Sequence, residues 1–146
     1  MREFKTVLSP TDFSGESYRA LEYAARFARA ASGRVLLAHI IHVPSGELYQ
    51  DLRPVLTFDE AKQRAVTQMN DLRRRYVPQE IACDVVVELG DPYEELMKLA
   101  RQRRVDLIVT ATHGRTGLDH LVMGSVAEKI IRHAPCPVFV VRRGAD

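Results

Sequence analysis

Two glycines and a serine between residues 111 and 129 have the spacing of a phosphate-binding loop. Gly114 and Gly124 are separated by nine residues, and Ser125 follows the second glycine directly. A glycine has no Cβ, so positive φ angles are open to it and a ligand can approach its backbone amide closely. Glycines also mark ordinary strand-to-helix turns that bind nothing. The spacing alone therefore leaves phosphate binding and simple turn formation as alternatives.

The elements on either side of this loop favour an anion. The apolar, β-branched run 105–111 predicts a buried strand that ends where the glycine-bearing segment begins. Ser125 and Glu128 have the spacing of a capping box, which predicts a helix that begins at Ser125. The first amides of a helix lack intrahelical partners and lie at the positive end of its dipole. The segment is neither a P-loop, since no Lys follows the second glycine, nor the dinucleotide pattern G-x-G-x-x-G.

Strands and helices alternate along the whole chain. The patterns predict strands at 4–8, 34–43, 81–88, 105–111 and 137–142, and helices at 14–33, 57–76, from 91 onward and 125–134. Thr57 with Glu60 suggests a second capping box, and Asp91, Pro92 and Glu94 stand in the order N-cap, N1 and N3. Apolar strands in strict alternation with helices indicate a parallel sheet covered on both faces. The predicted fold class is α/β, a three-layer α/β/α sandwich with a doubly wound five-stranded parallel sheet.

Several segments resemble the universal stress protein family. The stretches VLSPTDFS at 7–14, LLAHIIHV at 36–43 and APCPVFVVR at 134–142 are similar to its first, second and last strands. Its nucleotide-binding members carry G-x2-G-x9-G-(S/T), matched here by Gly114, Gly124 and Ser125, with Ala111 in place of the first glycine. The resemblance implies one universal stress protein domain over residues 1–146. It also implies the strand order 3-2-1-4-5, of the adenine nucleotide alpha hydrolase-like type.

In that order, a ligand lies beyond the carboxyl ends of the first and fourth strands, where residues 9–14 and 111–117 meet. The resemblance implies that Asp12 accepts hydrogen bonds from ribose hydroxyls, although Asp12 could instead cap the following helix. It also implies that the backbone of Ile40 meets adenine. The phosphate candidates are the backbone of 113–117, the Ser125 hydroxyl and the amides that follow it, with Arg115 adding a charge-assisted contact.

The full predicted nucleotide site comprises Pro10, Thr11, Asp12, Ile40, Ala111, Thr112, His113, Gly114, Arg115, Thr116, Gly117, Gly124, Ser125, Val126 and Ala127. The expected ligand is ATP or AMP, with Mg²⁺ as an option when ATP is bound. His113 is expected to orient the loop rather than to catalyse a reaction.

Four functions remain open. The leading one is a stress-response module whose adenine nucleotide regulates its partner contacts. The methyl group of Ala111 could crowd the ligand, which leaves a dimeric adaptor that binds no nucleotide as the second. An enzyme is third, at most a slow ATPase without an assigned catalytic residue, because the nucleophile elbow G-x-S-x-G and a Walker-type Lys are both missing. A receiver or flavodoxin relative of similar topology is fourth, and phosphorelay activity is disfavoured because the fifth strand offers neither an acidic pocket nor a Lys.

Composition and charge narrow the partners and the cellular location that we expect. The chain has 146 residues, with 21 basic and 19 acidic side chains and a net charge of +2, too small a field to indicate a nucleic-acid partner. No apolar run approaches the roughly 18 residues of a membrane span, and residues 1–10 lack a signal pattern, so we expect a cytoplasmic protein without membrane contact. The five histidines show no spacing typical of metal ligands. Cys83 and Cys136 are expected to be free and buried.

The final strand predicts self-association. PVFVVR at 137–142 is strongly apolar, and the inferred strand order leaves it at an edge. The resemblance implies that it pairs with its two-fold mate. We therefore expect a homodimer with Val138 or Val140 in the contact.

Overall fold

The computed structural model describes residues 3–43, 55–113 and 123–142, without the side chains of 55–57. Four helices alternate with five strands over these residues. In chain order they are β1 Thr6–Pro10, α1 Gly15–Ala30, β2 Arg34–His42, α2 Val55–Tyr76, β3 Ala82–Gly90, α3 Pro92–Gln102, β4 Leu107–Ala111, α4 Ser125–His133 and β5 Val138–Val141. The connection between β2 and α2, residues 44–54, lies outside the described residues.

The five strands form one parallel sheet in the order β3-β2-β1-β4-β5, which confirms the predicted fold class and strand order. The order reverses between β1 and β4, because the chain after β1 crosses to β2 on one side and the chain after β4 crosses to β5 on the other. The final strand β5 lies at one edge of the sheet, and β3 lies at the other.

Both faces of the sheet are covered, which is why the inner strands are mostly apolar. Val7 and Val109 face the core that α1 and α2 cover, and both are fully buried. Leu8 and Ile108, their immediate neighbours in the two strands, face the core under α3 and α4 and are equally buried. The alternation of side chains along a strand thus builds two cores, one on each face of the sheet.

The ends of α1 show how local sequence sets the chain direction. Ser14 is the N-cap, and its side chain accepts from the Ser17 amide at 3.2 Å. At the other end Ser32, not Gly33, adopts the left-handed conformation, with φ of 51°, and the Gly33 amide donates to the Ala28 carbonyl at 2.8 Å. Gly33 is needed for space, because a Cβ there would lie 2.2 Å from the Lys5 carbonyl oxygen.

The predicted helix starts had different outcomes. Asp91 caps α3, accepting from the Glu94 amide at 2.9 Å with Pro92 at the first helical position, as predicted. The capping box at Thr57 was wrong, because α2 already begins at Val55 and residue 57 lies within its first turn. A helix that starts earlier gives residue 57 a helical position instead of the extended one that an N-cap needs.

Candidate ligand-binding site

A cavity of about 290 Å³ opens at the carboxyl edge of the sheet, where the strand order reverses. It is lined by most of the predicted site residues, namely Pro10, Thr11, Asp12, Ile40, Ala111, Thr112, His113, Gly124, Ser125, Val126 and Ala127. The remaining predicted residues, Gly114, Arg115, Thr116 and Gly117, lie outside the described residues. The structure thus brings together segments that are more than 100 positions apart in the chain.

Sequence analysis missed part of the wall. The additional lining residues are Ser17, Ala38, His39, Pro92, Leu96, Thr110 and Ile130. Leu96 and Ile130 come from α3 and α4 and close the cavity with apolar side chains that helical periodicity marks only as core. Their position next to the crevice depends on how these helices pack, which no local pattern records.

The strand β2 extends beyond β1, so over the described residues its last backbone groups on that side have no strand beside them. Pro10, the last residue of β1, pairs with Ala38, and the Thr11 amide donates to the Ala38 carbonyl at 2.8 Å. In a parallel strand, alternate residues direct both backbone groups to the same neighbour. Ile40, two residues after Ala38, therefore directs its N–H and C=O toward the same side as Ala38, which is the side of β1, but at a level past the end of β1. Val43, of the opposite parity, faces β3 instead, and its amide donates to the Gly90 carbonyl at 3.2 Å. Ile40 presents one donor and one acceptor to the cavity.

Asp12 lies on the cavity wall in the turn between β1 and α1. Its Oδ1 atom accepts from the Ser14 amide at 3.0 Å. The alternative that Asp12 caps α1 was wrong, because Ser14 occupies the N-cap position. The chain needs two more residues after Asp12 to turn into the helix, so the carboxylate stays at the crevice.

Helix α4 begins at Ser125, as predicted, but Ser125 is not its N-cap. Gly124 is the N-cap, and its carbonyl accepts from the Glu128 amide at 3.0 Å. The capping box at Ser125 was therefore wrong, because Ser125 is already the first helical residue. Gly124 has no side chain and so makes no side-chain capping bond. Ser125 instead lines the cavity together with Val126 and Ala127.

Gly124 itself has ordinary backbone angles, with φ of −60° and ψ of 147°. A glycine is not required there for a left-handed conformation. What the missing side chain provides is room at the cavity wall, which Gly124 lines.

Ala111, the departure from the family pattern, is the last residue of β4 and pairs with Val141. It is half-buried and packs against the core on the α1 face. Its backbone φ is not positive, so alanine fits the strand without strain.

Thr112 and His113 follow and are buried, with the Thr112 Oγ1 atom 2.9 Å from the His113 Nδ1 atom. This contact holds the imidazole at the end of β4.

Other candidate chemistry is limited within residues 3–43, 55–113 and 123–142. There, no three His, Cys, Asp or Glu side chains lie close enough together to hold a metal ion. The described helices include none with the length and apolar character needed to cross a membrane. Cys83 and Cys136 form no disulfide, as predicted, but both are half-buried rather than buried. Burial raises the pKa of Cys83 to about 11.

Fold and cavity together define a class, the doubly wound α/β proteins with a ligand crevice at the switch point of a 3-2-1-4-5 sheet. The model of the universal stress protein family matches residues 3–142. The chain belongs to the universal stress protein family.

Relatives and solved structures agree with this assignment. A universal stress protein of Thermus aquaticus is 31% identical over 95% of this chain and 99% of its own. The universal stress protein MJ0577 of Methanocaldococcus jannaschii is 26% identical over 96% of both chains. The solved structure of MJ0577 matches with a TM-score of 0.82 at 27% identity, covering 99% of this chain and 100% of that one. A universal stress protein solved in complex with cAMP shares the fold, with a TM-score of 0.68, 23% identity and coverage of 97% and 98%.

Proposed function

We propose that this universal stress protein binds an adenine nucleotide, ATP or AMP, in the cavity at the carboxyl edge of its sheet. In this proposal it is a stress-response regulator whose partner contacts depend on the nucleotide. The observation that carries the proposal is the overhang of β2, which directs the N–H and C=O of Ile40 past the end of β1. Adenine offers a complementary pair on one edge, with N1 as acceptor and N6 as donor. Guanine in the same pose reverses both groups, since it carries a donor at N1 and an acceptor at O6.

The rest of the cavity suits the sugar and the phosphates. An ionised carboxylate only accepts hydrogen bonds, so Asp12 matches ribose hydroxyl groups. The first amides of α4, at Ser125, Val126 and Ala127, lie at the positive end of the helix dipole. With the Ser125 hydroxyl they provide donors for phosphate oxygens. The universal stress protein solved with cAMP is a precedent for an adenine nucleotide bound by this fold.

The proposal is a binding role, with at most slow hydrolysis. Rapid phosphoryl transfer needs a positioned base and cations on the γ-phosphate. Mg²⁺ would bind together with ATP, coordinated by its phosphates.

Calorimetric titration with ATP, AMP, GTP and adenosine tests the proposal. We expect ATP and AMP to bind, and GTP to bind at least about tenfold more weakly because two hydrogen bonds at Ile40 are lost. Mass spectrometry of small molecules released from freshly purified, denatured protein should identify a co-purified adenine nucleotide. Equal affinity for ATP and GTP would contradict the assignment of the base to Ile40.

The nucleotide-free adaptor is favoured by one feature, Ala111 in place of glycine. Absence of binding by any adenine nucleotide, with and without Mg²⁺, would support that adaptor. Gain of ATP binding by Ala111→Gly would then identify the methyl group as the cause.

We also propose a homodimer through β5. Among the described strands β5 pairs with β4 alone, and Phe139 is 36% exposed. An apolar edge strand of this kind is usually paired or covered.

A further inference from the structure

Phe13, next to Asp12 in the turn between β1 and α1, has a backbone conformation that a residue with a side chain rarely adopts. Its φ angle is 65°, in the left-handed region. Such a conformation persists only where the surrounding contacts hold it in place. The neighbourhood of Phe13 should therefore contain the groups that set the direction of this turn.

Contacts hold Phe13 on three sides. The Tyr18 hydroxyl donates to the Phe13 carbonyl at 2.9 Å. The Phe13 amide donates to the Thr11 Oγ1 atom at 3.0 Å. The Phe13 ring lies against the His39 imidazole, with 4.4 Å between the ring centroids. Helix α1, the turn itself and strand β2 thus each fix one part of the residue.

Thr11 anchors the same turn from the other side of Asp12. Its carbonyl lies 2.7 Å from the His39 Nδ1 atom, and because a carbonyl only accepts, Nδ1 carries the proton and donates. Its hydroxyl lies 2.8 Å from the Ser17 hydroxyl, and Thr11 is only 6% exposed. Asp12 therefore lies between two residues that are both tied to β2 and α1.

Tyr18 is in turn held by packing between helices. Its ring stacks on Tyr76 of α2, with centroids 5.4 Å apart and planes inclined by 28°. The hydroxyl that reaches Phe13 thus comes from a ring with a fixed position.

We propose that Tyr18 and His39 are positioning residues of the ligand site. They hold Phe13 in its left-handed conformation and Thr11 against β2, which aims the Asp12 carboxylate at the ribose of the ligand. The substrate class that this arrangement selects is a ribonucleotide with free hydroxyl groups on its sugar. This inference rests on the proposed function, and neither residue touches the sugar in it.

Tyr18→Phe is the direct test, because it removes one hydroxyl and keeps the ring that stacks on Tyr76. Tyr23→Phe is the matched control on the same helix, since the Tyr23 ring packs against Phe139, 5.4 Å between centroids, on the β5 side. The ligands are adenosine and 2′,3′-dideoxyadenosine, compared by calorimetry. We expect Tyr18→Phe to lower adenosine affinity about three- to tenfold, with dideoxyadenosine affinity unchanged. Tyr23→Phe should leave both unchanged.

His39→Phe provides an independent arm, because it keeps an aromatic ring beside Phe13 but cannot donate to the Thr11 carbonyl. The same selective loss of adenosine affinity is expected. Equal losses for adenosine and dideoxyadenosine in either variant would overturn the proposal and leave a purely structural role. No preference for adenosine in the unmodified protein would overturn it as well.

Hydrogen exchange separates this inference from the proposed function. If the unmodified protein binds neither nucleoside, nucleotide binding fails, and the amides of Phe13 and Ser14 still report on the turn. In Tyr18→Phe they should exchange about tenfold faster than in Tyr23→Phe, with the strand amides unchanged. Equal rates in the two variants would overturn the positioning role.

Discussion

The amide of Gly124 donates to the carbonyl of Thr112 at 2.8 Å, which joins the beginning of α4 to the end of β4. This bond connects the two residues that flank the segment 113–123, in which Gly114 lies. It also explains why Ser125 does not cap the helix, since the chain enters α4 through Gly124. The hydroxyl of Ser125 is consequently left at the cavity wall.

Adenine nucleotide should stabilise the folded protein. A ligand that binds only the native state adds about 2.7 kcal/mol at a hundredfold excess over Kd. For a chain of this size the melting temperature should rise by roughly 5–10 °C. Thermal melts with millimolar ATP or AMP, with GTP as the comparison ligand, measure the effect. A melting temperature that ATP and AMP leave unchanged would contradict nucleotide binding.

Ser125→Ala should separate ligand binding from stability. Because Ser125 does not cap α4, its loss should change the free energy of unfolding by less than about 0.5 kcal/mol. ATP affinity should nevertheless fall about three- to tenfold through the lost hydroxyl contact, with adenosine affinity retained. Urea titration and calorimetry give the two quantities. A large loss of stability would instead restore the capping role of Ser125.

Gly124 variants should test the close approach of phosphate to the loop. The φ of −60° at Gly124 suits any residue, so Gly124→Ala and Gly124→Val should both fold. The larger side chain of valine should lower ATP affinity more than alanine does. Valine should lower adenosine affinity less than it lowers ATP affinity. Calorimetric titration of the folded variants provides the comparison. Parallel losses for ATP and adenosine would leave Gly124 as a turn residue only.

A charge on β5 should weaken the dimer. Val140 is half-buried on this edge strand, and Val140→Lys places an ammonium group in the proposed contact. Leu89→Lys, at a position 37% exposed on the opposite edge, is the matched control. Light scattering at tens of micromolar should show a dimer for the unmodified protein and the control, and monomer for Val140→Lys. A monomeric unmodified protein would rule out this assembly.

Gly33→Ala should destabilise the fold strongly. The new Cβ would lie 2.2 Å from the Lys5 carbonyl oxygen and 2.7 Å from its carbon, so the backbone before β1 must move. We expect a loss of about 2 kcal/mol or more in the free energy of unfolding. Gly15→Ala is the control, since a Cβ there meets nothing within 4 Å and should change stability by less than about 1 kcal/mol. Similar urea midpoints for the two variants would refute the steric argument.

Local patterns in the sequence identified the elements and their layers correctly. Strand–helix alternation predicted the parallel sheet, and Asp91, Pro92 and Glu94 predicted the start of α3, because these signals act over a few residues. The same kind of signal failed at Ser125. The helix begins at Ser125 as predicted, but the same sequence is compatible with an N-cap at Ser125 or at Gly124, and the structure has Gly124, whose amide bonds to Thr112.

The sequence by itself determined strands with apolar side chains on both faces, and therefore the sheet, its crevice and the segments that border it. Only the tertiary structure decided what faces the crevice. It placed His39 beside Thr11, 28 positions away, and left the backbone of Ile40 open because β1 ends before β2. The physical reason is that strand length and register are set by contacts between distant segments, whereas capping and periodicity report only on neighbours in the chain.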